Sequence, residues 1–176
     1  MAASLRPART KVEVPPSLAY LQNIAGRKLI VFDSFEGLPE NLENHDKSIL
    51  GHSIKGWFTE GEFCGSLEEV QENVKQFGEL EVCTFVKGWF EITMPNLNTS
   101  IAAAYLDVDL ASSTRTCLKF LWPLLISGGV LYSQDGDFPL VIAVFNDNEF
   151  WRNEVGFTKP SVEGLGKRKL IRIVKG

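Results

Sequence analysis

The chain has 176 residues, 44% of them hydrophobic, and a formal net charge of −4. That is enough apolar material for one globular core, while the acidic balance excludes a large nucleic-acid footprint and no stretch is apolar for long enough to span a membrane. The three cysteines, Cys64, Cys83 and Cys117, are odd in number and fit no metal-binding spacing, which points to a reducing, cytoplasmic setting.

Residues 1–16 are polar, end in Pro15-Pro16 and are expected to form a flexible arm. Arg6, Arg9 and Lys11 are followed by no apolar run, so the arm is not a secretory signal. Residues 17–176 read as a single α/β domain. Ser17 caps an expected short helix, Leu18 to Ala25, stopped by Gly26. Lys28 to Phe32 is a strand running into Asp33-Ser34-Phe35-Glu36-Gly37. An acid at such a strand end either holds a ribose hydroxyl or starts a turn. Glu40 to Gly65 has no periodicity and carries His45, His52, Trp57, Phe58 and Phe63. It reads as a lid over a substrate, the alternative being a loop whose aromatics pin it to the core.

Ser66 and Glu69 form a capping-box pattern ahead of a helix whose buried face is Leu67, Val70, Val74 and Phe77. Glu81 to Lys87 is a strand ending at Gly88-Trp89, where a glycine permits close backbone approach and an indole offers a flat face. Ile101 to Leu106 reads as a buried central parallel strand, followed at once by Asp107 and Asp109 and by Ser112, Ser113 and Thr114 as candidate N-caps. Two carboxylates that close repel unless a proton or a hard cation lies between them; the bland alternative is that both cap turns. A helix from Ser113 to Leu125 and a turn at Ser127 to Gly129 precede the strand Val130 to Ser133, which ends in Gln134-Asp135. Leu140 to Trp151 is expected to be helical, and Lys169 to Val174 an antiparallel edge strand. This order predicts a doubly wound, mostly parallel α/β sheet with polar residues at four strand ends.

The segments FDSFEGLPE (Phe32 to Glu40), VKGWFEITMP (Val86 to Pro95), LDVDLASST (Leu106 to Thr114) and GGVLYSQDG (Gly128 to Gly136) resemble the macrocin O-methyltransferase family. The resemblance implies a Rossmann-like class I methyltransferase that uses S-adenosylmethionine and Mg2+ to methylate a hydroxyl of a small molecule, a sugar or other natural product. It implies that Asp33, with Ser34 and Phe35, binds the cofactor ribose and that Gly88 and Trp89 hold the adenine. It places Asp107, Gln134 and Asp135 as metal ligands and Asp109 as the base, with His52 a second candidate. Three departures stand out. Gln134 replaces an expected aspartate and removes one negative charge from the metal site. Ala111 stands where a tyrosine is usual. The family's first strand and Gly-rich loop have no counterpart before Leu18, so the chain reads as lacking that βα unit and is expected to bind the cofactor weakly. Its flanking strands would then pair directly with each other, pair with another chain, or leave the chain marginally stable. The competing reading is a non-catalytic or partial protein of the same fold; fold alone also leaves room for another nucleotide-binding enzyme.

Overall fold

The structure, a computed structural model, describes residues 26–44 and 46–176. The expected arm, the Leu18 to Ala25 helix and His45 lie outside the described residues. The described strands and helices are β1 (Leu29–Asp33), α1 (Leu67–Phe77), β2 (Cys83–Lys87), α2 (Phe90–Thr93), β3 (Ile101–Leu106), α3 (Ala111–Leu124), β4 (Leu125–Ser133), α4 (Pro139–Asn146) and β5 (Ile171–Val174), with short helical turns between them. The chain packs into two compact units: the described residues up to Asn41 with Thr59–Trp89, and Leu42–Phe58 with Phe90–Gly176.

In the first unit β1 and β2 run parallel, Asp33 opposite Lys87. The helix between them starts as its sequence dictates. Ser66 Oγ accepts from Glu69 N at 3.2 Å and Glu69 Oε2 accepts from Ser66 N at 3.1 Å, so each satisfies a backbone donor that the helix leaves free. Val70 and Val74 are buried with Phe35 and Val82, and Leu67 packs against them. Phe77, expected on that face, is instead 63% exposed; it is the last residue of α1, beyond the end of the packed stripe.

In the second unit β3 and β4 are parallel and β5 is antiparallel to β4, the edge geometry expected of the last strand. β3 has the expected bounds but not the expected burial: Ala103 and Tyr105 are exposed and only Leu106 is buried. Ala103 and Tyr105 lie two apart and so share one face of the strand, and that face is open. Among the described residues β3 has a hydrogen-bonded neighbour on one side only, β4, so it is an edge strand there. β4 runs from Leu125 straight out of α3, where the sequence suggested a turn at Ser127 to Gly129. The core of this unit includes Leu110, Leu118, Leu131, Phe145, Trp151 and Ile171, all fully buried. Trp151 Nε1 donates to the Phe145 carbonyl at 3.1 Å, and its ring meets Trp122 edge to face at 5.2 Å, a pair worth about 1 kcal/mol beyond its buried area. The expected helix from Leu140 to Trp151 breaks at Asp147. Its Oδ1 accepts from Phe150 N at 2.9 Å and so opens a second helical turn, which continues as a π-helix over Trp151–Val155. At the end of α3 the carbonyls of Trp122 and Pro123 accept from Lys175 Nζ at 2.7 and 3.1 Å, a cation where a helix terminus is negative.

Candidate functional site

In the first unit the ends of the paired strands meet. Gly88 N donates to the Asp33 carbonyl at 2.9 Å. Gly88 has φ +136°, a backbone that side-chain-bearing residues avoid. The half-buried Asp33 turns one carboxylate oxygen, Oδ1, back to Phe35 N at 2.6 Å. Burial raises the Asp33 pKa, and the Phe35 hydrogen bond works against that. Ser34 is buried, its Oγ donating to the Gly37 carbonyl at 3.0 Å and accepting from Glu36 N at 3.1 Å. The Phe35 side chain belongs to the core beside Val70 and Val74. Trp89 is half-buried at the end of β2. The structure thus brings Asp33 and Gly88 together, and Ser34 shapes the turn between Asp33 and Gly37.

In the second unit the parallel pairing of β3 and β4, Leu106 opposite Ser133, carries two acidic loops to one end of the sheet. One carboxylate oxygen each from Asp107, Asp109 and Asp135 lies within 4.8 Å of the others. Asp135 is fully buried. Its Oδ2 accepts from Val108 N at 3.1 Å and Asp109 N at 3.2 Å, and its Oδ1 has no hydrogen-bond partner among the described residues. Burial first, and then the charges of Asp109 and Asp107, push its pKa up to about 8 against those two hydrogen bonds. Asp109 sits at φ +58°, in the left-handed region that aspartate tolerates better than most residues. The glycine after Asp135 is forced by packing: a Cβ on Gly136 would lie 2.8 Å from the Lys169 carbonyl and run into Ile171.

The sequence placed Asp107, Gln134 and Asp135 in the metal set and Asp109 beside it. In the structure one carboxylate oxygen each of Asp107, Asp109 and Asp135 converges, so Asp109 joins the two acids of the expected set. The Gln134 Oε1 accepts from the Tyr105 hydroxyl. Burial, with Asp107 and Asp135 behind it, pushes the Tyr105 pKa up to about 12, so it stays a donor. His52 lies exposed in the turn closed by the Lys47–Ser53 bridge, and it is not one of the converging groups. Phe58 is buried with its ring edge to face against Phe138 at 5.3 Å, so at that residue the loop is pinned to the core.

One residue had no signal in the sequence. α3 was expected to be capped by Ser112, Ser113 or Thr114, but its N-cap is Leu110, which offers no side-chain acceptor. The acceptor is Glu43, 68 residues earlier. Its Oε2 accepts from Ala111 N at 2.6 Å and its Oε1 from Ser112 N at 2.8 Å and Ser112 Oγ at 2.6 Å.

A three-carboxylate cluster with a buried, unsatisfied oxygen suits a hard divalent cation, which takes oxygen ligands and replaces the proton that Asp135 otherwise retains. Comparison with known proteins bears on the family, not on the ion. The family model described as macrocin-O-methyltransferase (TylF) matches residues 16–163. The 8-demethyl-8-(2,3-dimethoxy-alpha-L-rhamnosyl)-tetracenomycin-C 4'-O-methyltransferase of Streptomyces olivaceus is 31% identical over 147 residues, 80% of this chain and 53% of its own. The chain therefore spans about half the length of that relative. Among solved structures, the O-methyltransferase NovP aligns with a TM-score of 0.66 and 24% identity over 88% of this chain and 62% of its own. The calicheamicin methyltransferase CalS11 aligns with a TM-score of 0.61 and 21% identity over 92% of this chain and 67% of its own. Both likenesses establish the Rossmann-like methyltransferase fold.

Proposed function

The chain belongs to the macrocin O-methyltransferase family, and on that premise we propose that it takes part in methyl transfer from S-adenosylmethionine to a hydroxyl of a sugar-bearing natural product, with Mg2+ at the Asp107–Asp109–Asp135 cluster. The observation that carries this is the cluster itself: three carboxylates within 4.8 Å, one of them buried with an oxygen that none of the described residues satisfies. The relative's substrate, a rhamnosyl tetracenomycin, motivates the sugar hydroxyl.

Asp107 and Asp135 would hold the cation, and Asp109, drawn into the same cluster by its left-handed turn, would take the hydroxyl proton. Convergence favours Asp109 over the exposed His52 for that role. A bound divalent ion lowers the pKa of an alcohol that it coordinates. In the transfer the acceptor oxygen forms a bond to the methyl carbon as the carbon–sulfur bond breaks, leaving S-adenosylhomocysteine. In the first unit, Asp33 at the end of β1 is suited to ribose hydroxyls, and Gly88 and Trp89 to the adenine. The segment Glu40–Gly65 is read as a lid, pinned at Phe58 against Phe138. A cytoplasmic setting suits the three free thiols.

One observation favours the non-catalytic reading: Gln134, in place of an acid, gives its oxygen to Tyr105. Incubating the chain with methyl-labelled S-adenosylmethionine and a rhamnosylated aromatic polyketide separates the two. The proposal expects label transfer that needs Mg2+, stops with EDTA and is lost in Asp109→Asn. Transfer that ignores EDTA contradicts the metal role, and no transfer to sugar acceptors favours the non-catalytic protein.

A further inference from the structure

The segment Leu42–Phe58 is tied to both loops that carry the carboxylate cluster. Glu43 accepts three hydrogen bonds from Ala111 and Ser112, directly after the loop that bears Asp107 and Asp109. Ile49 N donates to the Asp137 carbonyl at 3.0 Å, and Phe58 packs on Phe138, just after Asp135. It is a strap fastened at three points.

We propose that Glu43 is a positioning residue for the cluster: a carboxylate latch that fixes the first turn of α3 and thereby holds Asp109 in place. The proposal rests on reading the cluster as a cation site. The physical argument starts from Asp109. At φ +58° it occupies the left-handed region, an uncommon conformation that its surroundings must support. On one side the enforcement is plain, since Val108 N and Asp109 N both donate to Asp135 Oδ2. On the other side α3 begins at once, with Leu110 as its N-cap, a fully buried leucine with no acceptor to offer. Thr114 does not help, because its hydroxyl donates back to the Leu110 carbonyl. Among the described residues Glu43 supplies acceptors for the Ala111 and Ser112 amides, and its charge meets the positive end of the helix. Two carboxylates therefore grip the stretch from Val108 to Ser112, one from each side. Without Glu43 the first turn of α3 is held by water, and Asp109 is free to relax out of the cluster. Because Glu43 belongs to the strap, opening the strap and dispersing the cluster become one event.

The test is a Mn2+ titration of the 176-residue chain, followed by the paramagnetic resonance of the free ion, for wild type, Glu43→Gln, Glu43→Ala and Arg115→Gln. Arg115 lies on the same helix and pairs with Asp147 and Glu154, so its loss reports on destabilisation alone. The proposal expects Mn2+ binding weakened on the order of tenfold by Glu43→Ala and by less in Glu43→Gln, which keeps one acceptor oxygen. Arg115→Gln should lower the melting temperature and leave Mn2+ affinity unchanged. In turnover, the Glu43 variants should lower kcat and leave the KM for S-adenosylmethionine alone. Wild-type affinity in a folded Glu43→Gln or Glu43→Ala overturns the proposal. Equal weakening by Arg115→Gln also overturns it, by showing a merely structural cap. A wild-type chain that binds no Mn2+ overturns the cation reading, and this proposal with it.

Discussion

Asp135 combines full burial with two backbone donors on one oxygen and, among the described residues, none on the other. Its pKa, pushed up to about 8 from an ordinary 3.8, means that the native metal-free chain holds a proton that the unfolded chain has released. Stability then falls as pH rises, because the native state is the one that binds more protons. The melting temperature of the metal-free chain should fall between about pH 5 and about pH 8, and Mg2+ or Asp135→Asn should flatten that slope. A slope of the opposite sign would rule out the buried, protonated carboxyl. Asp33 gives a second prediction. Asp33→Ala should weaken S-adenosylmethionine binding roughly tenfold or more, the scale of one hydrogen bond to a charged group; unchanged calorimetric affinity would remove Asp33 from the cofactor site. At this scale the acids were legible because Asp33 and Asp107 directly follow apolar runs and Asp109 and Asp135 lie within three residues of a strand's end. The hydrogen bond from Tyr105 to Gln134 was not, since those residues meet through the register that sets Leu106 opposite Ser133.

Elements whose signals are local were read correctly. α1 carries its start in Ser66 and Glu69 and has the bounds that its pattern suggested. Ser66→Ala removes the side-chain half of that box and should destabilise the chain by about 1 kcal/mol, visible as a lower melting temperature. No change would mean that α1 is held by packing alone. α3 shows the opposite case. Its serines and threonine look like caps, yet the cap comes from Glu43 across 68 positions, and no local pattern announces a tertiary partner so distant. The break at Asp147 was hidden for a related reason. The run from Leu140 to Trp151 is apolar enough to read as one helix, but Asp147 opens a second turn and pairs with Arg115. Gly136 links an element to the site. With the Lys169 carbonyl 2.8 Å from where a Cβ would stand, Gly136→Ala should push β5 and the Asp135 loop apart, at a cost of about 1–3 kcal/mol as for other overpacked sites. A variant of wild-type stability would show that the two stretches part without strain.

For the whole molecule the α/β class and the parallel pairing were readable from the alternation of strands and helices, because parallel strands need crossover connections. The partition of strands was not. The described strands form a parallel pair, β1–β2, and a three-stranded sheet, β3–β4–β5, and no ladder joins β1 to β3 among the described residues. Local sequence says that a strand exists and how its ends are furnished; which edges pair is decided by contacts far apart in the chain. The claim on which the functional account depends is narrower than the fold: Asp107, Asp109 and Asp135 together bind one divalent cation. Isothermal titration of Mg2+ into the metal-free chain near pH 7, with Asp135→Asn alongside, tests it directly. The account predicts one ion per chain, a proton released on binding, and loss of both in Asp135→Asn. A wild-type chain that takes up no Mg2+, or an Asp135→Asn chain that binds it equally well, would contradict it.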